Sequence, residues 1–428
     1  MRFDQDAKPG QVEGFAQDLP AKEKRMDYTN DFCYGHEMHE RQGTTVFEGR
    51  EPSLQCYSIR RIRFDDLTPQ ELNDWRFARS NYSTPDPSSD PDWLRGYFAG
   101  QTENLSVYML YRYGVPCGAT TFTTRNWPLD CYLGDFRVLR LPMLRLRLVG
   151  IDFPEDELAY DMLWVELESD DCDAVFLDAV PVESFVWQYA RRADDSFRIY
   201  LPGDPSPRPR IRISGTFEAY LKQFSARHRH NLRRRVSKFQ EECSPMRVER
   251  YTAPEQVAPF LELALLVSRK TYQWKVFNRG LTDTGVLTRR LEFAAANGWF
   301  RSYILFSGDK PVAFVAGWQR QGIYDHHEIG YDPDYRKYAP GTVLHMAMIE
   351  DLFSADPPGI LDFGSYAKYK EELSTESYPE GRMFLFKRRP YTRLAESFHR
   401  ASLGVTAWAG SMLDQWQLKS RVRAWVRK

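Results

Sequence analysis

Three predicted strands that run directly into a loop and a helix place the strongest constraint on the fold of this chain. Two-residue turns at Gly308-Asp309 and Gln321-Gly322 separate the strands, which predicts an antiparallel meander. The helix after Pro340-Gly341 has apolar residues at helical spacing, which predicts one buried face. The strands are Trp299–Ser307, Pro311–Gln319 and Ile323–Tyr331, and the apolar helix positions are Leu344, Ala347, Met348 and Leu352.

The loop between the third strand and this helix has the features of an anion site. A helix N-terminus presents backbone N–H groups and the positive end of the helix dipole. Arg336 and Lys337 add positive charge just before it. We therefore expect a phosphate-bearing cofactor, if the chain binds one, to lie at this loop. The candidate cofactor-binding residues are Arg336, Lys337, Tyr338, Ala339, Gly341 and Thr342.

The elements around the loop predict the fold class. The order is strand, two helices, the three-strand meander, the loop and its helix, and then strand, helix and strand. A meander followed by a helix and a parallel return strand is not a doubly wound sheet. We predict an α/β (α+β) fold with a mixed, mostly antiparallel sheet flanked by helices. The flanking elements are Met246–Tyr251, Pro254–Tyr272, Asp283–Asn297, Ile360–Phe363, Tyr366–Leu373 and Arg382–Lys387.

Length and composition indicate a globular protein of more than one domain. A chain of 428 residues is longer than one ordinary domain, and its net charge of −1 favours no particular partner. The first ten residues are polar and lack the apolar centre of a signal peptide, and no apolar run is long enough to span a membrane. Six cysteines without CxxC spacing predict free thiols rather than disulfides or zinc. These features together predict a cytoplasmic protein.

Changes in composition divide the chain into five predicted segments. Four prolines lie within Leu201–Pro209, and proline cannot continue a helix or a central strand, so this stretch is predicted to be a linker. The segments are a polar N-terminal arm (1–52), an N-terminal domain (53–200), the linker (201–210), a second domain (211–390) and a basic, Trp-containing helical tail (391–428).

The stretch after the linker is predicted to form one basic amphipathic helix, Thr216–Gln240. Its arginines, Arg233 among them, can face solvent, dock on the acidic stretch Asp152–Asp195, or bind an anionic substrate. One basic helix in a chain without net positive charge is weak support for a nucleic-acid site.

The tail carries Trp408, Trp416 and Trp425 interleaved with arginine and lysine. A helix of this kind can pack on its own domain or on a second subunit, or it can lie on an anionic membrane surface. Peripheral contact with the inner face of a membrane is therefore one expected alternative, and the oligomeric state stays open.

Four stretches resemble the GCN5-related N-acetyltransferase (GNAT) superfamily, and within it the CelD-like acetyltransferases of cellulose and exopolysaccharide biosynthesis, which are related to the FemAB group. The resemblance covers residues 211–390 best, and 53–200 resembles a second GNAT-like unit that lacks the phosphate loop. The fold implied is therefore a tandem of GNAT-like units, with the second unit catalytic. The stretches are RHRHNLRRRVSKF (Arg227–Phe239), Ile329–Leu352, LDFGSYAKYKEEL (Leu361–Leu373) and RMFLFKRR.

The resemblance implies acyl transfer from an acyl-CoA, usually acetyl-CoA, to an amine or hydroxyl of a sugar, an amino acid or a lipid-linked precursor. The pyrophosphate would lie against Arg336–Thr342. The sequence departs from the family pattern there, since Ala339 replaces a glycine and Pro340 has no N–H to donate. Two alternatives remain: FemAB-like transfer from an aminoacyl-tRNA, and a non-catalytic scaffold in a polysaccharide assembly complex.

Direct acyl transfer needs a proton acceptor for the nucleophile and a donor for the leaving thiolate. The candidate bases are His326, His327 and Glu328 on the third meander strand. Neighbours on a strand point to opposite faces, so His326 and Glu328 could line the cleft together, or His327 with Asp325. Because the two histidines point apart and no third ligand is nearby at ligand spacing, we expect no metal site.

Further candidates follow the meander. Asp332 is predicted to cap the turn before Pro333, although it is also a candidate substrate-binding residue. Tyr369 and Lys370 match the family's YK pair: Tyr369 is a candidate acid, as are Tyr366 and Tyr378. Lys370 and Arg233 are candidate substrate-binding residues, and the alternative for Lys370 is a surface position on a short helix.

Overall fold

One large sheet, paired in both parallel and antiparallel register, organises the chain. The computed structural model describes residues 56–133, 136–192, 197–271, 281 and 285–415, with the side chains of 409–415 left out. The predicted arm 1–52 lies outside the described residues. Within them, thirteen strands form one sheet, and the hairpin β4–β5 stands apart. The strands are β1 (Tyr57–Arg63), β2 (Leu105–Arg112), β3 (Val115–Asn126), β4 (Leu129–Leu133), β5 (Phe136–Leu141), β6 (Leu144–Asp152), β7 (Ala174–Pro181), β8 (Phe197–Tyr200), β9 (Ser206–Arg212), β10 (Met246–Tyr251), β11 (Ser302–Ser307), β12 (Lys310–Arg320), β13 (Ile323–Tyr331), β14 (Ile360–Asp362) and β15 (Glu376–Lys387).

Helices cover both faces of this sheet, and their ends follow the local capping rules. Thr68 begins the first helix with a capping box, in which its side chain and that of Glu71 satisfy each other's backbone N–H. The helices are α1 (Pro69–Ser80), α2 (Pro91–Tyr97), α3 (Glu157–Ser169), α4 (Phe185–Ala190), α5 (Phe217–Lys222), α6 (Ala226–Glu242), α7 (Val257–Ser268), α8 (Val286–Ala296), α9 (Pro340–Ser354), α10 (Lys368–Glu371) and α11 (Pro390–Gln415).

The two halves of the chain repeat one topology. In the second half, β10, β11, β12 and β13 form an antiparallel meander, and α9 leads to β14, which pairs parallel to β13. In the first half, β1, β2, β3 and β6 form the matching meander, and α3 leads to β7, parallel to β6. This repeat, in a mixed sheet flanked by helices, confirms the predicted fold class.

The halves are joined through exchanged strands rather than through a linker. β9, which precedes the second half, pairs antiparallel with β14, and β15, which ends the second half, pairs antiparallel with β7. β15 also pairs with β9, so the sheet continues from β1 to β10 without a break. The prediction that Leu201–Pro209 cannot contribute to a central strand is therefore wrong, because β9 begins at Ser206.

The two prolines of β9 are tolerated because of the direction in which their nitrogens point. The carbonyl of Pro209 accepts from Phe363 N, whereas the carbonyl of Arg210 accepts from Thr375 N, so Pro209 faces β14 and Arg210 faces β15. Alternation places Pro207 on the β14 side as well. β14 pairs only with Arg210–Arg212, so neither proline removes a ladder hydrogen bond.

The basic segment predicted as one helix forms two, α5 and α6. Ser225 lies between them in an extended conformation, and its hydroxyl accepts a hydrogen bond from His228 N. A serine N-cap restarts the helix at this point, which the apolar stripe on either side of it does not reveal. α6 packs on α9 and on the short 3-10 helix Pro333–Tyr338, rather than on Asp152–Asp195 as one alternative proposed.

Aromatic residues join the two halves on one face of the sheet. Trp93 of α2 lies 5.1 Å from Trp318 of β12, measured between ring centroids, and the Arg320 guanidinium lies 4.3 Å from the centre of the Trp93 ring. Arg320 also donates to the carbonyl of Pro87 at 2.6 Å. The described cysteines are free thiols, as predicted. None of the helices in the described part of the chain is long and apolar enough to cross a membrane.

Candidate active site

The loop before α9 has the predicted position but fewer backbone donors than predicted. Ala339 adopts a left-handed conformation with φ of 52°, which glycine adopts without steric cost and other residues rarely do. The N–H groups of Thr342 and Val343 both donate to the carbonyl of Ala339, at 3.0 and 3.1 Å. Pro340 has no N–H, so Gly341 carries the one remaining amide of this first turn.

Positive side chains surround the same loop. Arg336 and Lys337 are exposed in the last turn of the 3-10 helix. Arg235 of α6 reaches the start of α9 and donates to the Thr342 hydroxyl at 3.3 Å. Arg233, the predicted substrate-binding residue, instead lies on the exposed face of α6 and pairs with Glu218 at 3.0 Å.

Arg235 was not predicted as a site residue, although its spacing from the buried residues of α6 indicates that it faces the protein. It lies three residues after Leu232 and four before Phe239, which are the two buried residues of α6. A charged residue on the buried stripe of a helix has to meet a partner from the structure beneath it. Arg233, two residues earlier, falls on the other side of the helix.

Two buried histidines meet one turn after the loop. His326 of β13 and His345 of α9 are 6% and 1% exposed, and their Nε2 atoms lie 3.0 Å apart. Burial, and then the charges of neighbouring groups including Lys370, lowers the pKa of His326 well below its usual value and that of His345 to about 3. Both rings are therefore neutral at pH 7, and one Nε2 donates its proton to the other.

Backbone carbonyls favour a proton on each of the two histidine rings. The backbone carbonyl of Gly341 favours a proton on the His345 ring, whose Nε2 faces His326. The backbone carbonyl of His326 favours a proton on the His326 ring in the same way, so either ring can supply the proton shared by the two Nε2 atoms. The Nδ1 of His326 is buried and has no hydrogen-bond partner among the described residues. A buried polar atom without a partner is costly, so it marks a place where a hydrogen bond to a ligand fits.

Tyr369 packs against the histidine pair, and the charge of Glu328 acts on this tyrosine. The Tyr369 ring stacks on His345, with ring centroids 5.7 Å apart. Although 42% of this tyrosine is exposed, burial of its phenol, and then the charge of Glu328, raises its pKa well above the usual range. Tyr369 therefore stays protonated and can donate. The structure thus brings together two of the four predicted catalytic residues, His326 and Tyr369, and Glu328 lies near enough for its charge to act on the Tyr369 phenol.

His327, the fourth, lies on the opposite face of β13. Its ring is 4.8 Å from Trp318, which also donates to Asp325 at 3.1 Å. The strict alternation assumed for this strand fails at a β-bulge. Neighbouring residues of β12, Ala316 and Gly317, pair with Glu328 and His326, so His327 is the extra residue of β13. Gly317 is required there, since a Cβ would lie 2.4 Å from the Tyr324 hydroxyl and 2.8 Å from the Asp325 carbonyl.

Two predicted substrate-binding residues have structural partners instead. Lys370 is buried rather than on the surface, and its ammonium donates to the carbonyls of Phe363 and Ser365 at 2.6 and 3.1 Å. Asp332 is also buried and caps the 3-10 helix, as expected for the turn before Pro333. Burial alone would raise the Asp332 pKa, but hydrogen bonds from Lys270, from Asp334 N and from Lys310 lower it.

The other candidate acids lie away from the histidine pair. Tyr366 is exposed and donates to Glu371 at 2.7 Å. The Tyr378 ring packs against the Arg210 guanidinium at 3.9 Å, next to the paired carboxylate of Asp362. Phe363 contributes to the group instead, because its ring lies 5.7 and 5.8 Å from His326 and His345.

The histidine pair should make the protein less stable in mild acid. A histidine whose pKa is lowered by folding takes up a proton in the unfolded chain first, so stability is lost as pH falls below about 6.5. We expect a loss of about 2 kcal/mol per histidine between pH 7 and pH 5. Urea unfolding of the wild type and of the His326→Leu/His345→Leu variant at both pH values measures this loss, and parallel pH dependence in the two proteins would refute it.

A family match identifies the class of protein that carries this site. Residues 226–371 match the model of the family described as Acetyltransferase (GNAT) domain, and the match includes the loop, both histidines, Glu328 and Tyr369. This segment therefore matches a GNAT domain, which confirms the predicted resemblance at that level, and the protein is an acyltransferase. No curated protein is significantly similar to the chain in sequence.

Several solved structures are similar to this chain at low sequence identity, and the first of them shares its fold. The crystal structure of FemX is 12% identical, with a TM-score of 0.53 over 78% of this chain and 99% of that chain. A tandem GNAT protein from the clavulanic acid biosynthesis pathway is 10% identical, with a TM-score of 0.47 over 78% and 99% of the two chains. L-PGS from Bacillus licheniformis is 13% identical, with a TM-score of 0.46 over 78% and 96%.

Proposed function

We propose that this protein transfers an acyl group, preferably acetyl, from acyl-CoA to an amine or hydroxyl of a sugar, an amino acid or a lipid-linked precursor. Exopolysaccharide biosynthesis in the cytoplasm is the setting that the CelD-like sequence stretches favour. The observation that carries the proposal is the neutral His326–His345 pair, which lies one helical turn beyond a basic loop and keeps an unpartnered Nδ1. The GNAT match over the same residues supports it.

The loop fits a phosphate-bearing co-substrate through charge more than through backbone amides. Arg336, Lys337 and Arg235 supply positive charge, and the Gly341 N–H and the Thr342 hydroxyl supply neutral polar groups. These residues would hold the pyrophosphate of acyl-CoA. When bound, the thioester supplies an activated acyl group.

The residues around the histidine pair divide the proton transfers between them. The unpartnered His326 Nδ1 forms a hydrogen bond with the attacking amine or hydroxyl and so orients it. Its lowered pKa makes it a weak base, so we assign removal of the proton to the Glu328 carboxylate. Tyr369 stays protonated and donates to the departing thiolate.

Calorimetric titration of acetyl-CoA tests the site with two substitutions at one position. A Cβ at Gly341 would lie 3.6 and 3.7 Å from the nearest atoms of Ile329 and Tyr331, so Gly341→Ala fits without movement. Gly341→Glu places a negative charge at the helix N-terminus. We expect Gly341→Ala to bind within a few-fold of the wild type, and Gly341→Glu to lose about tenfold or more in affinity.

Equal affinity of the two variants would place acyl-CoA elsewhere on the protein. Absence of binding to the wild type would overturn the acyl-CoA proposal altogether. In that case the aminoacyl-tRNA alternative comes first, since α6 presents exposed Arg227, Arg233 and Arg234. Under that alternative, the affinity of the protein for tRNA would fall steeply as the salt concentration rises.

A further inference from the structure

The C-terminal helix α11 packs on the protein along one face and presents an apolar stripe to solvent along another. The residues of α11 that face the protein, Thr392, Ala395 and Ser402, are buried. Five apolar residues on the outer side recur at spacings of three, four, seven and three, which aligns them along the helix. They are Tyr391, Leu394, Phe398, Val405 and Trp408, and each is between 40% and 64% exposed.

The β4–β5 hairpin lies alongside this helix and adds to the same apolar region. The Thr406 hydroxyl donates to the Tyr132 carbonyl at 2.9 Å, and the Tyr391 hydroxyl donates to the carbonyl of Pro142 just after β5. Two apolar residues of the hairpin, Phe136 and Val138, are 71% and 53% exposed. A soluble monomer rarely leaves so many large apolar side chains together in water.

Arginines surround the start of α11. An open surface cavity of about 550 Å³ is lined by Arg198, Arg388, Arg389 and Arg393 together with Pro390, Leu394 and Ser397. Glu396 pairs with both Arg198 and Arg400, while Asp171 and Asp173 pair with Arg389. Among the described residues, five arginines thus lie near three carboxylates at this end of the helix.

We propose that α11 and the β4–β5 hairpin together form a docking surface for an anionic phospholipid bilayer. Aromatic and aliphatic side chains next to arginines match the acyl chain boundary and the phosphate headgroups of such a membrane. A second copy of this chain fits less well, because a two-fold contact would bring the same arginines against each other. The inference does not depend on the acyl-transfer proposal.

Vesicle sedimentation of the full chain tests the docking surface. Vesicles of phosphatidylcholine mixed with phosphatidylglycerol should bind the protein, those of phosphatidylcholine alone should bind it weakly, and added salt should release it. Phe136→Ser/Leu394→Ser removes apolar contact, and Arg388→Glu/Arg393→Glu reverses charge. All four residues are exposed, so the variants should fold, and each pair should lower the affinity about tenfold or more.

Matched controls are Phe77→Ser and Arg95→Glu, exposed positions on α1 and α2. Both should bind vesicles like the wild type. Equal binding to the two kinds of vesicle, or equal loss in the controls, would overturn the proposal. Inorganic phosphate that displaces the protein at constant ionic strength would indicate a small-anion site instead. A dimer that the two docking variants dissociate without lipid would indicate an interface between copies.

Discussion

Replacing Glu328 with glutamine should lower kcat for acyl transfer by about 10²–10⁴-fold, with little change in the affinity for acyl-CoA. The substitution keeps the size of the side chain and removes the group that we assign to take the proton. The loop that would bind the pyrophosphate is formed by other residues, so binding should persist. Steady-state kinetics with acetyl-CoA and an amine acceptor, together with calorimetry, separate the two effects.

His327→Gln is the matched substitution on the neighbouring residue. Its ring stacks on Trp318, on the face of β13 that is turned away from His345, so we expect most of the activity to remain. Loss of activity in His327→Gln with retention in Glu328→Gln would assign the proton transfer to His327 instead of Glu328. Tyr369→Phe should lower kcat, because it removes the hydroxyl that we assign to donate to the departing thiolate.

The second half of the fold could be predicted because its signals are local. Glycine turns at Gly308 and Gly322 have the positive φ that their positions suggested, and β13 has the predicted bounds. β9 could not be predicted in the same way. Its prolines are tolerated because β14 is three residues long and leaves their side of β9 unpaired. This pairing depends on two segments that are far apart in the sequence, so the sequence of β9 alone does not show it.

The site was predicted in part for the same reason. His326, Glu328 and Tyr369 come from motifs that sequence alone displays. His345 was not predicted, because its role depends on its contact with His326 of β13, and the sequence of α9 alone does not show that contact. The bulge that sets the faces of β13 depends on close contact at Gly317 with Tyr324, and periodicity cannot show that contact.

Removing the buried charge at the junction of the halves should cost about 3–5 kcal/mol of stability. Arg208 of β9 donates from Nε to both oxygens of Asp362 at 2.9 Å and from Nη1 to Glu380 at 2.9 Å. Burial alone would lower the Arg208 pKa, but the two carboxylates and Tyr378 raise it well above its usual value. Arg208→Ala leaves two buried carboxylates without this partner, which urea unfolding at pH 7 should show directly.

Two comparisons distinguish buried charge from the loss of side-chain contacts. Arg212→Ala, four residues later on β9, removes an exposed ion pair with Glu376 and should change stability by about 0.5 kcal/mol or less. Adding Asp362→Asn and Glu380→Gln to an Arg208→Met variant should restore most of the loss, because asparagine keeps the oxygen that accepts from Gly364 N.

Without Arg208 the buried carboxylates should take up protons more readily in the folded protein than in the unfolded chain. The penalty of Arg208→Ala should therefore shrink as pH falls and grow as it rises. A penalty independent of pH, and not relieved by the neutral triple variant, would mean that Arg208 stabilises the junction through packing alone.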